Sequence, residues 1–331
     1  MMNDKYKAIV VKKYNNKIEQ FIENLNIRDL PSNDILVRVH YSAINYKDCM
    51  SFMGNLGVTR KFPHTPGIDA AGIVVSSKDQ RFEPGDRVLI VSRQMGLSQP
   101  GGFGEYVTCP AEWVEKIPQN LSLRDSMIFG TAGLTAACAI EEIENSIKTL
   151  PKANVAVTGA TGGVGILSSG ILAKLGYKVT AISGKKNVTD IFNSIGVTNI
   201  LDRSFFIDNS DRGLLSEEWS IGIDTVGGST LSTLIRHLSH CGDVYSTGIV
   251  SSQRIEVSLL PFILRGVSLK GVNMESKNLS TREKMWQNLG GAWRPSGLEK
   301  IAIEIDISEI SHYVEKILSG NNIGRIIIKM K

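Results

Sequence analysis

The chain has few cysteines, and none of them form a close pair. Four cysteines occur among 331 residues, and no two have the CxxC spacing. Disulfide-stabilised domains and structural zinc knuckles both need clustered cysteines, so neither is expected. The four are Cys49, Cys109, Cys138 and Cys241.

Long apolar runs and strong charge are missing as well. No uninterrupted apolar stretch reaches the roughly 18 residues of a membrane span, and Met1 to Lys7 lack the apolar core of a signal peptide. The net charge is only +4, without a long basic run, so a nucleic-acid partner is not indicated. The length and the 42% hydrophobic content suit two globular domains. We expect a cytoplasmic protein that acts on a small molecule and has no membrane partner.

What the sequence does contain is a glycine-rich turn between a strand pattern and a helix pattern. Residues 154–158 are strand-like, 159–165 form the turn, and a helical pattern leads to a second strand at 177–183. A helix N-terminus presents unpaired N–H groups, and only glycine lets a pyrophosphate approach them closely. The pattern therefore predicts a dinucleotide-binding βαβ unit; the alternative is a tight turn without a ligand. The turn glycines are Gly159, Gly162, Gly163 and Gly165.

The end of the second strand lacks the carboxylate that commonly holds the ribose of NAD. The chain has Ser183, Gly184, Lys185 and Lys186 there, and Arg203 follows the third strand pattern. A hydroxyl and cationic groups attract a 2′-phosphate, whereas a carboxylate repels it. This end predicts NADPH rather than NADH, unless the lysines are only solvated loop charges.

The texture of the chain changes near residue 126. Up to about 125 it is rich in short strands and Pro-Gly turns, and from 126 helix and strand patterns alternate up to Val267 to Val272. Alternation of this kind predicts a doubly wound parallel sheet. A helix pattern at 308–318 and a strand pattern at 324–329 then follow. We expect an α/β protein with a β-rich domain, 1–125, completed by about 300–331, and a nucleotide-binding domain, 126–299.

This order of domains resembles the medium-chain dehydrogenase/reductase superfamily, which joins a GroES-like catalytic domain to a Rossmann domain. Zinc enzymes of that superfamily have a cysteine at the position of Asn45 and a histidine at that of Ile68, and asparagine and isoleucine do not replace them. The resemblance therefore implies a metal-free enzyme that adds hydride across an activated C=C bond. The motifs are 45–48, 66–72, 84–88, 101–105 and 130–135.

Within the zinc-free branch the chain is similar to the NADPH-dependent acryloyl-CoA reductases, which are also named quinone oxidoreductases. The ordered signatures are 45–48, 158–165, 183–185, 223–227, 260–266 and 324–325. The family has arginine at Lys185, and often Leu, Ser and Asn at Ile249, Met274 and Ser319. The resemblance implies NADPH contacts at Tyr46, Thr161, Gly162, Gly163, Val164, Ser183, Gly184, Lys185, Arg203, Ile249, Ile263, Met274 and Ser319.

Three functions remain open at this point. The resemblance favours reduction of acryloyl-CoA to propanoyl-CoA. Reduction of a quinone, enone or enal would use the same fold and cofactor, and a non-catalytic NADPH-binding redox sensor is the third. An edge strand at Val267 to Val272 could extend across a two-fold axis, so we expect a homodimer.

Tyr46 and Asn45 are the catalytic candidates, because the resemblance places them where zinc enzymes hold their metal. Tyr46 could stack on the nicotinamide or donate its hydroxyl; a plain core or rim residue is the alternative. Asp69 is interpreted as a residue that holds local backbone near a Pro-Gly turn, rather than as an enzyme carboxylate. Lys47 and Asp48 are interpreted as a loop ion pair.

Overall fold

The computed structural model describes residues 4–15, 17–146 and 153–331. The chain divides into two compact units. The first unit contains Met1–Thr131 and Ala302–Lys331, and the second contains Ala132–Ile301. The boundaries expected near 125 and 300 differ from these by a few residues.

The strands and helices are numbered along the chain. The strands are β1 (Lys5–Tyr14), β2 (Lys17–Asn26), β3 (Ile35–Ile44), β4 (Asp69–Ser77), β5 (Arg87–Val91), β6 (Tyr106–Cys109), β7 (Val114–Lys116), β8 (Asn154–Thr158), β9 (Lys178–Ser183), β10 (Asn199–Asp202), β11 (Trp219–Asp224), β12 (Leu238–Ser246), β13 (Ser268–Gly271), β14 (Ala302–Ile305) and β15 (Arg325–Lys329). The helices are α1 (Tyr46–Phe52), α2 (Leu123–Ser146), α3 (Gly163–Lys174), α4 (Thr189–Ser194), α5 (Arg203–Phe206), α6 (Gly228–His237), α7 (Leu260–Arg265), α8 (Leu279–Gly290) and α9 (Ile310–Leu318).

The first unit is built on a seven-stranded sheet in the order β14-β15-β3-β4-β5-β7, with β6 beside β3. Alternate apolar residues of β3, such as Ile35, Val37 and Val39, are buried in its core, as a half-buried strand requires. β15 pairs with β3, so the C-terminal segment completes this sheet. β1 and β2 form a separate hairpin.

The second unit contains a six-stranded sheet in the order β10-β9-β8-β11-β12-β13, with every pair parallel. The chain order reverses between β8 and β11, and ligands of such sheets bind at the carboxyl ends of strands beside that reversal. This arrangement confirms the predicted doubly wound sheet.

Helix α2 has a sharp kink at Gly130, whose φ and ψ are 48° and −148°. Of the described helices, α2 alone is long and apolar enough to cross a membrane by length and composition. However, 83% of its most apolar window is buried inside the protein, which is typical of a core helix.

Candidate functional site

The glycine-rich turn joins β8 to α3 at the reversal of strand order. Gly159 has a φ of +58°, and a Cβ on Gly165 would collide with the Gly159 carbonyl. A Cβ on Gly162 would meet only that carbonyl, at 3.3 Å, so this face of the turn is open. The residues therefore fit a pyrophosphate held by the first amides of α3.

A buried carboxylate fixes the strand ends below this turn. Asp224 Oδ1 accepts a 2.6 Å hydrogen bond from Thr158 Oγ1, and Asp224 Oδ2 accepts one of 2.8 Å from the Gly227 amide. Burial raises the pKa of Asp224. Thr225 Oγ1 also donates to the Thr158 carbonyl at 3.0 Å. These bonds hold β8 and β11 in register where the dinucleotide turn begins.

Two hydroxyls link the turn to the end of β9. Thr161 Oγ1 and Ser183 Oγ are 3.1 Å apart, and both residues are buried. Ser183 Oγ also accepts a 3.1 Å hydrogen bond from the Lys185 amide. The glycine-rich turn and the end of β9 are thus held together.

Two cations lie at this strand end. A Cβ on Gly184 would be 2.9 Å from Arg203 Nη2, so the guanidinium covers the backbone there. Burial, followed by the positive charge of Arg203, lowers the pKa of Lys185. An anionic group bound beside them would relieve this repulsion, which suits a phosphate.

One carboxylate is nearer than the sequence suggested. The end of β9 itself has no carboxylate, but Asp202 on β10 pairs with Ser183 in the sheet, so a carboxylate is near this strand end. It belongs to the third strand rather than the second, and only strand pairing brings it there. Its Oδ1 accepts from Ser204 N at 2.7 Å and from Ser204 Oγ at 2.8 Å, which lowers the Asp202 pKa and commits that oxygen to α5.

The other predicted cofactor residues lie on separate elements. Ile249, after β12, and Ile263, on α7, are 61% and 70% exposed. Met274 is buried in the short 3₁₀ turn Met274–Ser276. Ser319 ends α9 and its hydroxyl donates to the Lys316 carbonyl at 3.2 Å. Tyr46 is the first residue of α1 and is 46% exposed.

A buried polar cluster holds the start of α1, and both of its carboxylates are fully buried. Asn45 Nδ2 donates to Asp69 Oδ2 at 2.8 Å and to Asp48 Oδ2 at 3.2 Å. Asn45 Oδ1 accepts a 3.1 Å hydrogen bond from Arg325 Nη1. Both the nitrogen and the oxygen of the Asn45 side-chain amide are therefore engaged in hydrogen bonds.

Asp48 is not a loop residue that pairs with Lys47, so that interpretation was wrong. It lies in the first turn of α1 and accepts from the backbone amides of Asn45 and Ile68, each at 2.8 Å. Burial and then the charge of Asp69 raise the pKa of Asp48 to about 7, against these hydrogen bonds. The position of Asp48 beside a lysine in the sequence could not reveal that its side chain is buried.

Asp69 was expected to hold local backbone near its Pro-Gly turn, but its side chain binds residues that are distant in sequence. Its carboxylate accepts from the Thr131 amide at 2.9 Å and from the Thr131 hydroxyl at 2.6 Å. Arg325, which sequence reasoning noted only as part of a motif, lies 3.8 Å from it through Nη2. The signal was present in the terminal Gly324-Arg325 pair, but its partners are far away in sequence.

Comparison with known proteins identifies the family. Residues 31–119 match the alcohol dehydrogenase GroES-like domain, and residues 163–290 match the zinc-binding dehydrogenase family. YhfP of Bacillus subtilis, named provisionally as a quinone oxidoreductase, is 34% identical over 99% of this chain and 100% of its own. The chain belongs to the zinc-free branch of the medium-chain dehydrogenase/reductase superfamily.

Other members of this oxidoreductase superfamily agree along the whole chain. Acrylyl-CoA reductase AcuI of Ruegeria pomeroyi is 33% identical over 98% of each chain. The crystal structure of the yhdH oxidoreductase from Salmonella enterica, solved with NADP, has a TM-score of 0.93 at 33% identity and covers 98% of this chain and 100% of its own. The YhfP structure, solved with NAD, has a TM-score of 0.94 and covers 99% and 100%.

The zinc named in the second family description does not fit the residues of this chain. Asn45 uses its amide within the polar cluster, and Ile68 offers only a buried apolar side chain. Within 4–15, 17–146 and 153–331, no group of three His, Cys, Asp or Glu could hold a metal. A catalytic zinc needs three protein ligands of these kinds.

Proposed function

We propose that this protein is a zinc-independent, NADPH-dependent reductase of an activated C=C bond, with acryloyl-CoA as the preferred substrate and propanoyl-CoA as the product. The observation that carries the proposal is an open dinucleotide turn in a chain whose zinc-ligand position, Asn45, is taken up by hydrogen bonds. The AcuI relative, at 33% identity over nearly the whole chain, supports the substrate.

NADPH is proposed as the cofactor because of the two cations at the end of β9. Arg203 and Lys185 lie beside Gly184, where a 2′-phosphate would be held. The relative solved with NADP supports this choice, whereas the one solved with NAD supports a less strict site. The cofactor would supply the hydride; the residues of this chain bind it, orient it and stabilise the charge that develops on the thioester oxygen.

Tyr46 is proposed to act by packing on the nicotinamide and positioning it. It is half exposed at the start of α1, so its ring and hydroxyl are accessible. Asn45 is proposed as a positioning residue rather than a donor, because both of its amide hydrogens are directed at Asp48 and Asp69.

Quinone reduction is the second candidate, favoured by the name of the YhfP relative. Reduction of enones or enals, and a purely NADPH-binding role, are compatible with the same fold. The decisive experiment follows NADPH absorbance with acryloyl-CoA, crotonyl-CoA, a benzoquinone and an enal. The proposal expects acryloyl-CoA to have the highest kcat/KM. Turnover of the benzoquinone with none of acryloyl-CoA at millimolar concentration would replace it with the quinone assignment.

The Tyr46→Phe variant separates the two roles of Tyr46. If the hydroxyl donates to the enolate, its loss lowers kcat by about 10²–10³, as for one oxyanion donor. Packing and positioning predict a much smaller loss, because the ring is kept. We expect the small loss, with NADPH affinity unchanged in a fluorescence titration.

A homodimer through β13 is also proposed. β13 is the last strand of its sheet, and Leu269 on it is 42% exposed. Several apolar side chains of the preceding segment are exposed as well. They are Leu259, Leu260, Ile263 and Leu264.

A further inference from the structure

Arg325 on β15 is a buried cation whose hydrogen bonds all lead to the start of α1 and the kink of α2. It is 3% exposed, and its Nε donates to the Ile128 carbonyl at 2.9 Å. Nη1 donates to Asn45 Oδ1 at 3.1 Å and to the Ile44 carbonyl at 3.5 Å. Nη2 has no hydrogen-bond partner in the described part of the chain. Burying a guanidinium is costly, so its geometry is informative.

The contact with Asn45 decides which way its amide faces. With Oδ1 held by Arg325, Nδ2 must face Asp69 and Asp48, as observed. The backbone amide of Asn45 in turn donates to Asp48 at 2.8 Å. Arg325 therefore holds, through Asn45, the residue that directly precedes Tyr46.

The other side of the guanidinium is bounded by the kink in α2. A Cβ on Gly130 would be 3.2 Å from Arg325 Nη2 and would collide with Asp69 Oδ2. Asp69 is itself fixed by Thr131. The guanidinium of Arg325 is therefore held between the kink at Gly130 on one side and Asn45 on the other.

The charges in the cluster also depend on Arg325. It is the cation that faces the carboxylates of Asp69 and Asp48, and both oppose the lowering of its pKa by burial. Cys49 follows Asp48 on α1, and burial raises the pKa of its thiol, so it stays neutral. Loss of Arg325 would remove this cation and leave the two buried carboxylates with their neutral hydrogen-bond donors.

We propose that Arg325 is a positioning residue of the reductase: it orients the Asn45 amide, fixes the first turn of α1 and thereby sets the place of Tyr46. The effect on turnover rests on the proposed function, whereas the effect on α1 does not. The C-terminal strand thus contributes to the site without touching the substrate.

The test compares Arg325→Met and Arg325→Lys with a matched control, Arg236→Met. Arg236 is also a buried arginine; it belongs to the second unit and binds Asp208 and the carbonyls of Ser210 and Arg212. kcat and KM are measured with the acceptor that the wild type reduces best. NADPH affinity and the hydrogen exchange of the peptide 44–52 are measured in parallel.

We expect Arg325→Met to lower kcat at least tenfold and to speed exchange in 44–52 at least tenfold, with NADPH affinity changed less than threefold. Lysine keeps the charge but cannot bond Ile128 and Asn45 together, so Arg325→Lys should recover thermal stability but not kcat. Arg236→Met should lose stability and leave both kcat and exchange in 44–52 unchanged. If Arg325→Met does not fold, the charge-balanced Arg325→Met/Asp69→Asn variant takes its place.

Unchanged kcat in a folded Arg325 variant, or full recovery of kcat by lysine, would overturn the positioning role. Unchanged exchange in 44–52 would overturn it as well. If the wild type reduces no acceptor, the proposed function fails, and exchange alone decides whether Arg325 fixes α1. The two failures are therefore distinguishable.

Discussion

Lys185 is the residue whose charge we expect to bear most directly on the choice of cofactor. It is half buried next to Arg203, and burial together with that second cation lowers its pKa. Two like charges in one place destabilise the empty site, and a bound phosphate would offset this. Such a contact would stabilise bound NADPH and would be missing with NADH.

The Lys185→Asp variant should therefore weaken NADPH binding and spare NADH. A charged hydrogen bond contributes about 1.5–3 kcal/mol, so the Kd for NADPH should rise at least about tenfold. Fluorescence titration with both dinucleotides measures this. Lys186→Asp is the control, because Lys186 is exposed and solvent screens its charge. Equal losses for NADPH and NADH would show that Lys185 does not recognise the phosphate.

Asp48 predicts a pH dependence of stability with a defined sign. Its pKa rises from an unfolded value of 3.8 to about 7 in the folded protein. Between these values the folded state binds more protons than the unfolded state, so this contribution to stability is full below about pH 4 and is lost as pH rises to about 7. The asparagine of Asp48→Asn cannot titrate. The free energy of unfolding of the wild type minus that of the variant should therefore fall as the pH rises from about 4 to about 7.

Asp208 offers the opposite case for comparison. The hydrogen bond from Ser210 and the neighbouring Arg236 lower the pKa of Asp208, so its contribution is present above about pH 4 and is lost below. Asp208→Asn should leave the difference flat between pH 4 and 7. Urea denaturation at several pH values measures both variants. A flat difference for Asp48→Asn would refute the raised pKa.

At this scale the sequence predicted those residues whose partners are close along the chain. Ser183 and Lys185 follow from one βαβ pattern and Thr161 from the family resemblance, and hydrogen bonds connect the three residues. Their contact with a cofactor stays a prediction. Arg325 and Asn45 are brought together only by the pairing of β15 with β3. No local pattern contains that contact, so its role could not be predicted.

Among the elements, α2 shows a local conformation fixed by a distant side chain. Gly130 interrupts the helix with a positive φ, and Asp69 fills the space that a side chain would need. The Thr131 amide freed by the kink donates to Asp69. The kink and the buried carboxylate therefore require each other.

Gly130→Ala should destabilise the protein strongly. A strained backbone conformation costs about 1–3 kcal/mol, and the new methyl group would also collide with Asp69, so the thermal midpoint should fall on the order of 5–10 °C. Gly85→Ala is the matched control: Gly85 has a φ of +99° but nothing within 4 Å. We expect only the strain there, and a fall of about 2–4 °C. Equal losses would mean that the collision is relieved without cost.

The elements that the sequence predicted well are those with strong apolar patterns and glycine or proline boundaries. β8 has the predicted bounds of 154–158, and β9 begins one residue after the predicted start at 177. The sequence did not predict the β1–β2 hairpin or α8. β2 is exposed along most of its length. The buried face of α8 includes Arg282 and Gly290 beside its apolar residues, so neither element gives a strong periodic apolar signal.

At the scale of the whole molecule, the order of the elements along the chain predicts which unit a segment belongs to better than its local pattern does. Residues 302–331 leave the second unit and add β14 and β15 to the first. The return was predictable because the helix and strand patterns after residue 300 do not continue the alternating unit. The strand order within each sheet was not, since pairing depends on packing over the whole unit.

The edge strand β13 gives the last prediction, that the protein is a homodimer in solution. β13 ends its sheet, Gly271 on it has nothing within 4 Å of a Cβ, and Leu269 is exposed, so a second copy can approach the strand. A two-fold axis would pair β13 with itself and cover apolar side chains. Light scattering after gel filtration should give twice the chain mass of 36.2 kDa.

Leu269→Lys should convert this dimer to a monomer, because the two-fold axis brings the new charge of each copy close to that of the other. Ile303→Lys is the matched control. Ile303 is 40% exposed on β14, an edge strand of the seven-stranded sheet, and this variant should remain a dimer. A wild-type monomer at micromolar concentration would contradict the prediction. If the Leu269→Lys variant forms a dimer of unchanged affinity, the interface does not include β13. The exposure of Ile263 on α7 would then be better explained by contact with the cofactor.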